Sequence, residues 1–154
     1  MFIEPINTTK DSLELVGGKG RSLARMTNAG FDVPGGFLVT ADTYRAFIVE
    51  KDLQSQILES AQPELRDGYP TFEGCAEKIR ALIMSECMTD AMSADIKAAY
   101  ANLDRLQIPV AVRSSANAED LPDFSFAGQQ ETFLNVRGGA EVVEAVQKSW
   151  ASLW

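Results

Sequence analysis

Two hydrophobic spacings alternate along this chain, and together they constrain its fold more than any other feature. Apolar residues three and four positions apart, as on one face of a helix, recur in five stretches. Short apolar runs of the kind found in strands lie between them, at residues 37–39, 109–114 and 132–136. The alternation predicts an α+β fold in which short mixed or antiparallel strands are flanked by helices.

The predicted elements have the following limits. The first helix is predicted at residues 20–29, and the second follows a cap at Thr40 and carries Tyr44, Phe47 and Ile48. The third has Ala76, Ile79, Ile83 and Cys87 on one face, and the fourth follows a cap at Ser93 and carries Ile96, Ala99, Tyr100 and Leu103. The last helix carries Val142, Val143, Val146, Trp150 and Leu153. Residues 51–72 contain Pro63, Gly68 and Pro70, which predicts helix fragments and connecting loop. No glycine, cap or closing basic turn follows the last helix, so we expect it to be still running at Trp154 and the chain to be truncated there.

Composition excludes several classes of protein. The 154 residues are 45% hydrophobic and 23% charged, which suits one globular domain. Neither a membrane span nor a signal peptide can be recognised, so we expect a cytoplasmic protein without a membrane partner. A net charge of −8 disfavours nucleic acid as a partner, although a few cations in one cleft can still bind a small anion.

The sequence also limits the chemistry of any site. It has no histidine, so no Ser-His or Cys-His pair can form, and Cys75 and Cys87 suggest neither a zinc site nor a disulfide framework. The two cysteines are interpreted as small apolar residues on a helix. The acidic residues Glu119, Asp120 and Asp123 suggest magnesium, but carboxylates in a polar loop are more often simply solvated, and no metal ligand is assigned.

The segment VGGKGRSL, residues 16–23, is a candidate phosphate site. It does not match a Walker A loop, which would need glycine at Leu13 and Ser or Thr at Gly20, and it does not match a dinucleotide fingerprint, which would need glycine at Leu23. Glycines such as Gly17 and Gly18 nevertheless let the backbone approach an anion, and Lys19 adds a full charge at a helix N-terminus. The alternative is a tight turn with a solvated lysine.

Two further segments carry candidate residues. In VAVRSS, Arg113 ends an apolar strand and meets Ser114 and Ser115, and its guanidinium suits phosphate unless it pairs with the nearby acidic residues. In SFAGQQET, Gly128 permits close backbone approach, and Gln129 or Thr132 can hydrogen-bond a phosphate or a base. The alternative for this second segment is a plain hairpin connection.

Taken in order, VGGKGRSLARM, VPGGFLVTADTY, VAVRSSANAEDLPDFSFAGQQETFLNV and the ending SWASLW resemble the N-terminal ATP-binding domain of the phosphoenolpyruvate synthase family. The relatives of that family include pyruvate phosphate dikinase and rifampicin phosphotransferase. The resemblance spans the chain and is weakest between about residues 50 and 105. It implies that residues 1–154 are the first subdomain of an ATP-grasp-like nucleotide-binding domain.

The resemblance also implies roles for the candidate residues. Lys19 and Arg113 correspond to phosphate contacts that offset charge on the transferred phosphoryl group, Gly128 and Thr132 to a loop that closes over ATP, and Ser114 and Ser115 to neighbours of the site. Magnesium ligands are expected outside this fragment, which alone should be inactive.

The full enzymes, by the same resemblance, convert ATP, pyruvate and water into AMP, phosphoenolpyruvate and phosphate, through a histidine on a domain that this chain lacks. A homodimer is the assembly considered for the full-length protein. Two alternatives stay open at this stage: the ATP-binding part of a rifampicin- or phenol-type dikinase, and a stand-alone anion-binding module without catalysis.

Overall fold

The fold is taken from a computed structural model of the chain, which describes residues 2–7, 12–103, 108–116 and 131–154. Within these ranges the elements are β1 (Ile3–Pro5), α1 (Leu13–Asn28), β2 (Phe37–Val39), α2 (Ala41–Glu50), α3 (Leu53–Ser60), β3 (Glu64–Arg66), β4 (Tyr69–Thr71), α4 (Glu73–Ser85), α5 (Asp90–Leu103), β5 (Val110–Arg113), β6 (Thr132–Val136) and α6 (Gly139–Ala151). The predicted α+β class is confirmed, as are the three predicted strands, which correspond to β2, β5 and β6.

The described strands form three antiparallel pairs, β1 with β2, β3 with β4 and β5 with β6. In the third pair, Val110 lies opposite Val136 and Arg113 lies opposite Thr132, with an irregularity in register between Val110 and Val112. The end of β5 therefore lies beside the start of β6. This register places two of the candidate residues on neighbouring strands.

Helix α6 lies against α4, α5 and both strands of the β5–β6 pair. The core that these elements enclose includes Phe47, Leu53, Ile79, Ile83, Met92, Ile96, Val142, Val146 and Trp150. The Trp150 ring lies 5.4 Å from the Phe47 ring and 5.6 Å from the Tyr44 ring, measured between centroids, so it joins α6 to α2. Such aromatic contacts contribute large buried area to a core.

Several helix limits differ from the predictions. Helix α5 begins at Asp90, ahead of Ser93, because Thr89 precedes it and its hydroxyl oxygen accepts a 3.4 Å bond from the Met92 N–H. Cys87 is exposed and lies beyond the end of α4, so its assignment to an apolar helix face was wrong. The buried Cys75 does lie on α4.

The start of α2 and the end of α6 also differ from the predictions. Helix α2 starts directly after Thr40, but the Thr40 side chain makes no capping bond and lies 3.4 Å from the Phe2 carbonyl oxygen, to which its hydroxyl donates. Helix α6 ends at Ala151 and does not run through Trp154. Beyond its end, the Ser152 and Leu153 N–H groups donate to the carbonyl oxygens of Lys148 and Trp150.

Residues 51–72 hold one helix fragment, α3, as predicted, and also a hairpin formed by β3 and β4. The turn between these strands consists of Asp67 and Gly68, both at positive φ (53° and 84°). Two-residue hairpin turns often have positive φ at both residues, because the twist of such a turn matches the twist of the two strands it connects. None of the helices in the described ranges is long and apolar enough to cross a membrane.

Candidate functional site

The glycine-lysine segment lies inside helix α1. Gly17, with φ 69° and ψ 178°, interrupts the helix and divides it into a first turn, Leu13 to Val16, and a second helical run that begins at Gly18. The expectation that the helix starts at residue 20, after a glycine loop, was wrong. Lys19 lies in the first turn of the second run, where it is half-buried.

The residues that follow β5 pack directly on this interruption of α1. The Gly18 N–H donates to the Ala116 carbonyl oxygen at 3.1 Å, and the Gly20 N–H donates to Ser115 Oγ, also at 3.1 Å. Ser115 Oγ in turn donates to the Val16 carbonyl oxygen at 2.8 Å. Two of these hydrogen bonds hold the start of the second helical run, and the third holds the end of the first turn, to residues 114–116, which we call the post-β5 segment.

The glycine at position 17 is what allows this close approach. A Cβ atom there would collide with the carbonyl oxygen and the hydroxyl oxygen of Ser115. The sequence pattern predicts that these glycines let the backbone approach an anion. In the structure, Gly17 provides room for another part of the same chain.

Arg113 and Thr132 lie on the two strands next to the post-β5 segment. They are register partners at the end of β5 and the start of β6, and both are exposed. Arg113 lies two residues before Ser115 in the chain, so the post-β5 segment connects the strand that carries Arg113 to the helix turn that carries Lys19. Lys19 and Arg113 thus lie on segments of the chain that hydrogen bonds connect.

Not every predicted site residue can be placed. Gly17, Gly18, Lys19, Ser114 and Ser115 lie along one contact, Arg113 and Thr132 adjoin it, and Ser114 is buried. Gly128 and Gln129 lie outside the described residues, as do Glu119, Asp120 and Asp123, the suggested ion-pair partners of Arg113 and suggested magnesium ligands. In the part of the chain that the structure describes, no group of three or more Cys, Asp or Glu residues could hold a metal ion.

Lys19 and Arg113 are residue types suited to an anion. A lysine ammonium is a compact charge, and a guanidinium offers planar donors that grip two oxygens at once, so the pair suits a polyphosphate. Ala116 was not predicted, nor was the bond between Ser115 and Gly20, because 95 positions separate these two residues and no local pattern can pair them.

A large groove, of about 950 Å³, lies elsewhere on the molecule. Its walls include Ile3 of β1, Thr27 near the far end of α1, and Asp95 of α5, and none of the predicted site residues lines it. Asp95 is the one charged residue among the described residues that form its walls. An apolar groove with a single carboxylate does not suit a polyanion.

Comparison with known proteins identifies relatives of the whole chain. Residues 13–154 match the family model described as pyruvate phosphate dikinase, AMP/ATP-binding domain. Phosphoenolpyruvate synthase of Aeropyrum pernix is 45% identical over 151 residues, which cover 95% of this chain and 18% of that protein. Phosphoenolpyruvate synthase of Pyrococcus furiosus is 40% identical over 182 residues, which cover 95% of this chain and 22% of that protein. Phosphoenolpyruvate synthase of Neisseria meningitidis serogroup B is 41% identical over 156 residues, which cover 96% of this chain and 20% of that protein. The chain thus spans about a fifth of the length of the curated relatives it matches.

Proposed function

Because this chain belongs to the family of pyruvate phosphate dikinase AMP/ATP-binding domains, we propose that it is the ATP-binding part of a phosphoenolpyruvate synthase-like phosphotransferase. The reaction of the full-length gene product would convert ATP, pyruvate and water into AMP, phosphoenolpyruvate and phosphate. Residues 1–154 would form the first subdomain of an ATP-grasp-like domain in a cytoplasmic enzyme. Magnesium would be bound by ligands outside this chain, and this chain alone would be inactive.

One observation supports the proposal most strongly, the contact between the start of the second helical run of α1 and the post-β5 segment. This contact connects Lys19 to Arg113 through a short path of backbone and one serine hydroxyl. The two residues lie 94 positions apart in the sequence, and a solvated surface lysine would not need such a connection. A site for a polyphosphate does need its cations on segments held together.

Each residue then has a role in the proposed reaction. Lys19 and Arg113 would bind phosphate oxygens of ATP and offset the charge that develops on the transferred phosphoryl group, where positioning and electrostatics supply most of the catalysis. Thr132, opposite Arg113 in the strand register, would donate its hydroxyl to a phosphate oxygen. Gly17, Gly18, Ser114 and Ser115 would form the adjoining wall, and Gly128 and Gln129 would belong to a loop over the nucleotide.

The proposal predicts the effect of removing each cation. In the full-length gene product, Lys19→Ala and Arg113→Ala should each lower turnover by about 10²- to 10³-fold, because a fixed charge at the transferred phosphoryl group is lost. Calorimetry should also show weaker ATP binding in both variants. Turnover is measured as pyruvate-dependent formation of AMP and phosphoenolpyruvate.

Two matched variants control for the loss of a surface charge. Lys78 and Arg45 are exposed and lie 2.7 Å from Glu64 and Asp42, respectively, away from the candidate site. Lys78→Ala and Arg45→Ala should change turnover by no more than about twofold, as exposed ion pairs contribute little. Unchanged ATP affinity and turnover in both Lys19→Ala and Arg113→Ala would exclude the assigned site, and the absence of pyruvate-dependent AMP formation would exclude the assigned reaction.

A further inference from the structure

We infer that Ser115 is a positioning residue for Lys19: its hydroxyl fixes the helix turn from which the Lys19 side chain extends. This inference rests on the proposed function, in which Lys19 binds a phosphate group. It assigns Ser115 a task different from direct contact with the nucleotide.

The geometry at Gly17 explains why a distant hydroxyl is needed. The second run of α1 begins at Gly18, and the first amides of a helical run have no partner within that run. Ordinarily the side-chain oxygen of the residue just before a helix accepts a bond from the amide of the third helical residue. Here Gly17 holds that capping position and has no side chain, and the amide of the third residue, Gly20, donates to Ser115 Oγ instead. Ser115 thus supplies the capping oxygen that Gly17 lacks.

The Ser115 hydroxyl also makes a second hydrogen bond, as a donor. Ser115 Oγ donates its single proton to the carbonyl oxygen of Val16, at 2.8 Å. The hydroxyl thereby joins the last carbonyl before the interruption to the third amide after it. With its proton used in this way, the hydroxyl is not a donor for a phosphate oxygen, which favours positioning over direct binding.

Lys19 lies between the two residues that the post-β5 segment holds. Gly18 on one side bonds to Ala116, and Gly20 on the other side bonds to Ser115. The backbone of Lys19 therefore cannot rotate without breaking at least one of these bonds. Because a displacement of about 1 Å at a catalytic group can lower a rate by about 10²-fold, a fixed backbone under a long side chain has a direct effect on turnover.

The inference predicts a specific coupling between two substitutions. In the full-length gene product, Ser115→Ala should lower kcat by about 10- to 10²-fold and leave the KM for pyruvate unchanged, since Lys19 would be displaced while the acceptor site is intact. In a Lys19→Ala background, the same Ser115→Ala change should lower kcat by less than about twofold, because there is no longer a lysine to position. A role in stability alone would give the same loss in both backgrounds.

Two further variants make the result decisive. Ser149→Ala removes another helix-associated hydroxyl, which donates to the Ala145 carbonyl at 2.9 Å within α6, and it should keep kcat within about twofold of the wild-type value. Ser115→Cys keeps the shape of the side chain but is slightly larger and a weaker donor and acceptor, so it carries the same double-mutant cycle should the alanine variant not fold. Full kcat in Ser115→Ala, or equal losses with and without Lys19, would overturn the inference. Unchanged turnover in Lys19→Ala itself would overturn the proposed function, and with it the premise of the inference.

Discussion

The backbone of Gly17 lies in a region of φ and ψ that is almost confined to glycine. Its surroundings impose a second requirement, because a Cβ at this position would collide with two oxygen atoms of Ser115. Backbone conformation and lack of space therefore both require glycine here. The residue is needed for contact within the chain, and through that contact it shapes the turn that carries Lys19.

Gly17→Ala should lower the free energy of unfolding by about 3 kcal/mol, since backbone strain and overpacking each cost on the order of 1–3 kcal/mol. Urea denaturation of the chain, followed by circular dichroism, measures this change. Gly30 provides a control with φ 84° and no atom within 4 Å of an added Cβ, so Gly30→Ala should cost only the strain, about 1 kcal/mol. Equal losses for the two substitutions would mean that no steric conflict with Ser115 exists.

Helices and strands could be predicted best where the signal in the sequence was local. The limits of β6 agree with the prediction because its apolar run is bounded on both sides, and β2 agrees for the same reason. The beginning of α1 could not be predicted, because the interruption at Gly17 is held by Ser115, far away in the chain. The β3–β4 hairpin was missed although Asp67-Gly68 is a strong turn signal, because each strand has only three residues and is largely exposed, leaving little hydrophobic pattern.

For the candidate site, too, local features could be predicted from the sequence and tertiary contacts could not. The types of residue that suit a phosphate, Lys19 and Arg113, can be found in the sequence because their chemistry is evident in the side chains. Their connection depends on tertiary contacts through residues with ordinary properties, such as Ser115 and Ala116, which no short motif distinguishes. The sequence thus indicates candidate residues for a phosphate site but not the contacts that connect their segments.

Tyr100 joins three elements through one hydroxyl group. The buried side chain extends from α5, donates a 2.7 Å bond to the Ile108 carbonyl just before β5, and accepts a 3.1 Å bond from the Gly138 N–H just before α6. Both partners are backbone groups at the ends of elements, where no regular ladder satisfies them. The hydroxyl therefore fixes the start of β5 relative to α6.

Tyr100→Phe should lower the free energy of unfolding by about 1–3 kcal/mol, because it leaves two backbone groups without their hydrogen-bond partner. Urea denaturation of the chain provides the measurement. Tyr69→Phe is the matched control, since Tyr69 is 76% exposed in β4, and its stability should change by less than about 0.5 kcal/mol. A Tyr100→Phe protein as stable as Tyr69→Phe would show that these bonds do not form.

Across the whole molecule, the last residues of the chain pack on an early helix. The Trp154 indole N–H donates to the Tyr44 hydroxyl oxygen of α2 at 3.2 Å, across 110 positions of sequence, and the Trp150 ring contacts Tyr44 as well. These contacts form only when the chain folds as a unit. The ionisation of Tyr44 is therefore linked to the folding of the entire chain.

Burial raises the pKa of Tyr44 above its ordinary value, and the hydrogen bond from Trp154 only partly opposes this shift. In the unfolded chain the phenol loses its proton near pH 10, whereas in the folded chain it keeps the proton to higher pH. The unfolded state then binds fewer protons than the folded state, so this group's stabilising contribution is present below about pH 10 and is lost as pH rises beyond it.

The free energy of unfolding of the wild-type chain should consequently fall more steeply between pH 9 and 11 than that of Tyr44→Phe, which keeps the ring but cannot ionise. Urea denaturation of both proteins across this range tests the difference. Parallel curves for wild type and Tyr44→Phe would mean that the Tyr44 hydroxyl stays as accessible in the folded chain as in the unfolded one.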